Sequence, residues 1–187
     1  MTPEEFLRWE ETQHERHELV DGEIFAMVGA TLEHERIVGN IEFALRTQLR
    51  GRGCEAFSKS TQVLAGRHVF YPDVVVECGA PAHGRVLERP VLIVEVLSES
   101  TEVYDRTSKW ELYRRNLASL RTFMLVAQDR LAVEVFRRTR DGWNFGEHTG
   151  ADDVVELGEP PCRLTLADIY GMYFEEYRAS AASASLR

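Results

Sequence analysis

Two carboxylates and one lysine stand out, because their surroundings make them costly to keep. The stretch Tyr71–Glu77 reads YPDVVVE, and Val91–Ser98 reads VLIVEVLS. Both have the length and aliphatic content of short strands, and each carries one acid that such a strand would not choose: Asp73 and Glu95. Every residue of Val91–Leu97 except Glu95 is aliphatic, which predicts a strand buried on both faces. A buried carboxylate is expensive unless a cation, a metal or hydrogen bonds compensate it. Two of them on consecutive strands point to a shared cation. Hard oxygen donors in this arrangement suit Mg²⁺, or Mn²⁺ in its place. Mg²⁺ takes one or two protein carboxylates and fills its remaining positions with water and phosphate oxygens.

The lysine is Lys109. Of 22 basic residues only Lys59 and Lys109 are lysines. Codon bias accounts for an arginine excess, but a lysine retained against it suggests a task suited to a compact ammonium with an adjustable pKa.

The elements that must position these groups follow from local pattern. Pro72 lacks an N–H, so Asp73 belongs at a strand start, edge or bulge. Ile93, Glu95 and Leu97 share one face of their strand. A helix is expected over about Thr101–Leu117, and on it Asp105, Lys109 and Tyr113 recur at spacing four along one side. That spacing has two readings. One is a helix-surface Asp–Lys pair with a core tyrosine. The other has Lys109 reaching the Asp73–Glu95 pair.

Upstream, Thr2-Pro3-Glu4-Glu5 opens a short acidic helix. Asp21-Gly22 between alternating segments signals a hairpin, with Glu18 in its first strand, either facing solvent or reaching the carboxylates. Thr31 is a candidate N-cap for a helix to about Arg50, with Ile37, Val38, Ile41, Ala44, Leu45 and Leu49 as its apolar stripe. His34 in its first turn points to the core side, as a structural residue or as a site residue. A strand begins near Cys54, a turn falls near Gly66, and residues 78–90 read as a surface loop. Gln62, and His83, Arg85 and Arg89 of that loop, are secondary candidates for the site. Downstream come a buried strand over Arg121–Gln128, two antiparallel strands (Leu131–Arg138 and Trp143–His148) and a last amphipathic helix carrying Leu166, Ile169, Tyr170 and Tyr173.

The order Pro72-Asp73, about twenty residues, then Glu95-Val96-Leu97 resembles the PD-(D/E)xK nuclease superfamily, with Leu97 where that superfamily usually has lysine. HELVDGEI (17–24), LEHERIVGNI (32–41), YPDVVVE (71–77), VLIVEVLSEST (91–101) and YDRTSKWELYRR (104–115) together resemble the Uma-two family of restriction-endonuclease-like proteins, over roughly residues 4–172. The resemblance implies an α/β fold of the restriction-endonuclease-like type: a mixed central sheet flanked by helices, extended by the N-terminal hairpin and by extra C-terminal antiparallel strands. It implies a Mg²⁺-dependent endonuclease acting on phosphodiester bonds in DNA. Asp73, Glu95 and the backbone carbonyl of Val96 would be metal ligands, and Lys109, migrated from the Leu97 position, would be catalytic. His34, Glu18 and Tyr113 would support them. A homodimer is compatible, because cutting a duplex needs two active sites. The alternative is a nuclease-like module that binds nucleic acid or protein without catalysis, a view that Leu97 favours.

Composition bounds these readings. At 187 residues and 44% hydrophobic content the chain suits one domain, here expected over residues 1–178, with the Ala/Ser-rich Ala179–Arg187 as a disordered tail. No apolar run reaches the length of a membrane span and no signal-peptide core is present, so a cytoplasmic, membrane-free protein is expected. The net charge of −9 is unevenly spread: residues 43–140, which hold the candidate site, carry 16 basic and 11 acidic side chains, net +5. Cys54, Cys78 and Cys162 lack zinc-type spacing, and neither a disulfide nor a zinc site is expected.

Overall fold

The computed structural model describes residues 1–27 and 29–177. The expected tail, Ala179–Arg187, lies outside them.

Helix α1 (Pro3–Glu10) starts with a capping box: Thr2 accepts from the Glu5 amide and the Glu5 side chain returns to the Thr2 amide. Strands β1 (His17–Val20) and β2 (Glu23–Ala26) form the hairpin, and Asp21 and Gly22 take φ of 52° and 87°, as a two-residue turn requires. Helix α2 (Leu32–Leu49) is capped by Thr31, whose hydroxyl accepts from the His34 amide at 3.2 Å. Its buried stripe is Ile37, Val38, Ile41, Leu45 and Leu49. Each such side chain contributes on the order of 1.5–3 kcal/mol through burial.

Strands β3 (Cys54–Ser58), β4 (Gln62–Ala65), β5 (His68–Phe70), β6 (Val74–Cys78), β7 (Val86–Leu87) and β8 (Pro90–Leu97) follow. The predicted Thr101–Leu117 helix is one helical segment of three parts: α3 (Glu102–Tyr104), a π-helical turn (Asp105–Lys109) and α4 (Trp110–Asn116). Then come β9 (Thr122–Ala127), β10 (Val133–Thr139), β11 (Gly142–His148), β12 (Val154–Glu156), β13 (Arg163–Thr165) and α5 (Leu166–Tyr170).

The central sheet has the order β11-β10-β9-β8-β6-β3. Strands β8 and β9 are parallel and joined through the helical segment; the other neighbours are antiparallel. One face packs on α2 and α5, through Leu92, Val94 and Val96 of β8; the other packs on α4, through Ile93 and Leu97. Glu95 shares the α4 face. The hairpin does not extend this sheet. It pairs with β5 in a second sheet, ordered β2-β1-β5-β4-β7, whose other three strands come from the chain between β3 and β8. The buried Leu19 and Val69 packed against Phe6 explain the difference, since they give the hairpin an apolar anchor of its own.

The expectation of free thiols fails at one pair. Cys54 and Cys78 form a disulfide, with Cα atoms 4.0 Å apart. The two are 24 residues apart, but β3 and β6 run antiparallel in a register that sets Cys54 directly opposite Cys78. Cys162 is free and buried.

Candidate active site

The β6–β8 register pairs Val74 with Val94, so one further step sets Asp73 against Glu95. Asp73 therefore stands just before β6 begins, across from Glu95, which is still within β8 and paired with Leu125 of β9. Asp73 Oδ2 accepts from the Val96 amide at 2.7 Å and lies 3.2 Å from His34 Nε2. The other ring nitrogen of His34, Nδ1, is buried without a hydrogen-bond partner.

Glu95 is 3% exposed and meets the helical segment. Lys109 Nζ lies 3.0 Å from Glu95 Oε1, 3.1 Å from Glu18 Oε1 and 3.8 Å from Asp105 Oδ1. The Tyr113 hydroxyl donates to the same Glu95 oxygen at 2.9 Å. Glu18 Oε1 also accepts the Tyr71 amide at 3.1 Å, which ties the hairpin to the residue preceding Pro72-Asp73. The arrangement thus joins Asp73, Glu95, Lys109, His34, Glu18 and Tyr113. Among the secondary candidates, Gln62 instead donates to the Tyr71 hydroxyl at 2.7 Å, and His83, Arg85 and Arg89 do not line the cleft.

Electrostatics follow from burial. Desolvation pushes the Glu95 pKa well above the carboxylate range; Lys109 pulls it down, and Asp105, Asp73 and Glu18 push it further up. Desolvation likewise raises Asp105, against Lys109 and a hydrogen bond from Thr101. For Lys109, burial works to lower the pKa, but Glu18, Glu95, Asp105 and Asp73 together raise it well above the usual lysine value. Its amine is therefore held as an ammonium. Burial, and then Glu95, lift Tyr113 as well.

The charges do not cancel. Glu18, Asp73, Glu95 and Asp105 face one lysine and one histidine. The excess of carboxylate is compatible with a divalent cation, which Asp73 and Glu95 are the side chains able to hold. Among the described residues no three His, Cys, Asp or Glu side chains form a ready ligand set. A two-carboxylate Mg²⁺ site, completed by water and phosphate, does not need one.

Sequence reasoning placed Asp105 only as a helix partner of Lys109, although the spacing of four was visible. It missed Tyr104, which lines the site and whose pKa burial raises. It also missed Glu10, which is buried behind the site, accepts from the His17 amide at 2.8 Å and from the Tyr71 hydroxyl at 3.2 Å. No local signal marks Glu10, which reads as one more acid on a polar helix.

The constellation opens on a cleft of about 1160 Å³ between the two sheets, lined also by Phe25, Met27, Arg16 and Lys59. Among the described residues no helix is long and apolar enough to cross a membrane.

The profile of the Uma2 family, described as "Putative restriction endonuclease", matches residues 3–167. The uncharacterized protein slr1290 of Synechocystis sp. is 35% identical over 161 residues, covering 84% of each chain. A second Synechocystis sp. protein, sll1609, also uncharacterized, is 29% identical over 164 residues, covering 84% of this chain and 92% of its own. Among solved structures, one described as a putative nuclease belonging to DUF820, from Anabaena variabilis, superposes with a TM-score of 0.74 at 17% identity. It covers 91% of this chain and 97% of the other. That likeness shows the restriction-endonuclease-like fold. With the profile spanning most of the sequence, the chain belongs to the Uma2 family of the PD-(D/E)xK nuclease superfamily.

Proposed function

We propose that the protein is a metal-dependent endonuclease that hydrolyses phosphodiester bonds, with DNA as its substrate. The observation that carries this reading is the 3.0 Å approach of Lys109 Nζ to Glu95. A helix-borne ammonium thus stands beside Glu95, where Leu97, buried in the core, cannot act.

Asp73 and Glu95 would hold Mg²⁺ or Mn²⁺, with the Val96 carbonyl as a further ligand. When bound, the ion supplies Lewis-acid polarisation of the phosphate and makes water a better nucleophile at neutral pH. The rest falls to the chain's own side chains. Lys109, kept protonated by its three carboxylate neighbours, donates towards the non-bridging phosphate oxygens, where negative charge grows as water adds to phosphorus and the bond to the leaving oxygen breaks. The raised pKa favours this role, or orientation of the water, over proton abstraction by the amine. Tyr113 and Glu18 hold Glu95 and Lys109 in register, and His34 holds Asp73.

The test is cleavage of supercoiled plasmid and of single-stranded DNA with Mg²⁺, with Mn²⁺ and with EDTA. Metal-dependent cutting that disappears in Asp73→Ala and Glu95→Gln is expected. Folded variants that cut as well as the parent would refute the assignment, and a folded parent that binds DNA without cutting it would establish the binding-module reading instead.

A further inference from the structure

The proposed chemistry leaves open which form of nucleic acid the cleft admits. Seven carboxylates line it against three Lys or Arg side chains and His34. One of those three, Lys109, lies at the floor beside Glu18 and Glu95, where it serves the attacked phosphate and not the rest of the backbone. A duplex carries two phosphate strands, about one charge per 1.7 Å of axis, and proteins that grip it normally answer with many cations. This cleft has two at its rim. Lys59 takes a left-handed φ of 52°, rare for a residue with a side chain, on the connection between β3 and β4, and pairs with Glu35. Arg16 donates to Ser60 at 2.9 Å beside it.

The β2 side of the cleft is apolar and adjoins Arg16, whose carbonyl accepts from the Met27 amide at 2.9 Å. Phe25 is 50% exposed, and strand register places it directly across from Glu18. Cross-strand partners share a sheet face, so the exposed ring stands on the same side as the carboxylate that holds Lys109. Met27, 37% exposed, continues that wall. An open aromatic face beside a sparse line of cations is what a single strand needs: bases to stack, one backbone to neutralise.

We propose that the cleft takes a single nucleic-acid strand, with Phe25 stacking on a base beside the attacked phosphate and Lys59 meeting a neighbouring, uncut phosphate. This rests on the phosphodiester reading above and narrows its substrate.

The experiment is fluorescence anisotropy with a labelled mixed-sequence DNA 15-mer, single-stranded and annealed to its complement, in EDTA and again in Ca²⁺. The strand is expected to bind at least about tenfold more tightly than the duplex. Phe25→Ala should weaken strand binding about tenfold and Phe25→Trp should restore it. Lys59→Gln should reduce the salt dependence of the binding constant by roughly 0.7 in log–log slope. Phe43→Ala, on the exposed side of α2 and away from the cleft, is the control and should change nothing. Equal binding of strand and duplex in both buffers, or a Phe25→Ala variant indistinguishable from Phe43→Ala, overturns the inference. Metal-dependent cutting without strand preference would sink it while leaving the nuclease reading intact. Strand-selective binding without cutting would do the reverse.

Discussion

Tyr113 and Lys109 converge on one atom: Glu95 Oε1 receives the tyrosine hydroxyl at 2.9 Å and lies 3.0 Å from the ammonium. Four residues apart, on the helical segment that links β8 to β9, the two fix a carboxylate that burial alone would drive towards its neutral form.

Tyr113→Phe removes one of those donors with little change in volume. Hydrogen bonds to charged groups contribute about 1.5–3 kcal/mol, and a loss of that order is expected in urea unfolding. The turnover number should fall while the Michaelis constant stays put, since Tyr113 acts through Glu95 rather than on substrate. An unchanged turnover number would show that the hydroxyl serves stability alone.

Lys109→Met leaves Glu18, Glu95 and Asp105 facing one another without their ammonium. Breaking a buried pair from one side costs about 3–5 kcal/mol. The double variant Lys109→Met, Glu18→Gln should recover part of that stability and none of the cleavage. Recovery of cleavage along with stability would reduce Lys109 to a structural partner.

The pH dependence has a definite sign. The folded-state pKa values of Glu95 and Asp105 lie above the ordinary 4.5 and 3.8. The folded protein therefore binds more protons than the unfolded chain in the window above those values. Stability from these two groups is present at low pH and declines as pH rises through their raised pKa values. Lys109, also raised, contributes stability that persists below 10.5 and is lost as pH climbs past that value through its folded pKa. Urea titrations from pH 5 to 8 should show a downward slope in this contribution that Glu95→Gln flattens. The measurement to compare is the difference between parent and variant, which cancels the other carboxylates.

Metal should reverse part of that cost. A ligand present at about 100 times its dissociation constant stabilises the fold by about 2.7 kcal/mol. Mg²⁺ or Mn²⁺ should therefore raise the melting temperature of the parent and leave Asp73→Ala unmoved. Equal shifts in both proteins would place the ion elsewhere.

The cross-strand disulfide gives a separate prediction. Closing a loop of this length is worth about 3 kcal/mol in the chain-entropy view. Cys54→Ser with Cys78→Ser, or treatment with dithiothreitol, should lower unfolding stability by that order. Intact mass should fall two hydrogens short of the thiol form before reduction.

Much of the site was legible because Asp73 and Glu95 break otherwise aliphatic strands, and because Lys109 is one of two lysines in the chain. Tyr113 followed from helical spacing. The central sheet was legible through β6, β8 and β9, whose aliphatic runs leave little choice. Glu18 remained ambiguous because its hairpin belongs to a second sheet, and only the Leu19–Val69 pairing reveals how that sheet turns the carboxylate towards Lys109. The Cys54–Cys78 pair depends on the β3–β6 register, a long-range pairing that cysteine spacing alone does not reveal. Glu10 looks like any surface acid until His17 and Tyr71 fold over it.

The π-helical turn at Asp105–Lys109 sets two demands against each other. A five-residue turn winds more slowly than an α-helix, so it shifts the angular phase of everything that follows relative to what precedes it. Here the residues on either side of that phase shift are Tyr104, on the cleft wall, and Tyr113, on Glu95. Winding the same residues as a regular α-helix, with none removed, would improve the backbone hydrogen bonding. It would also swing Tyr113 by roughly a quarter turn against Tyr104. The helix would gain and the site would come apart, so the irregularity acts as a timing element for the side chains: local order is given up to keep two groups in step with a third.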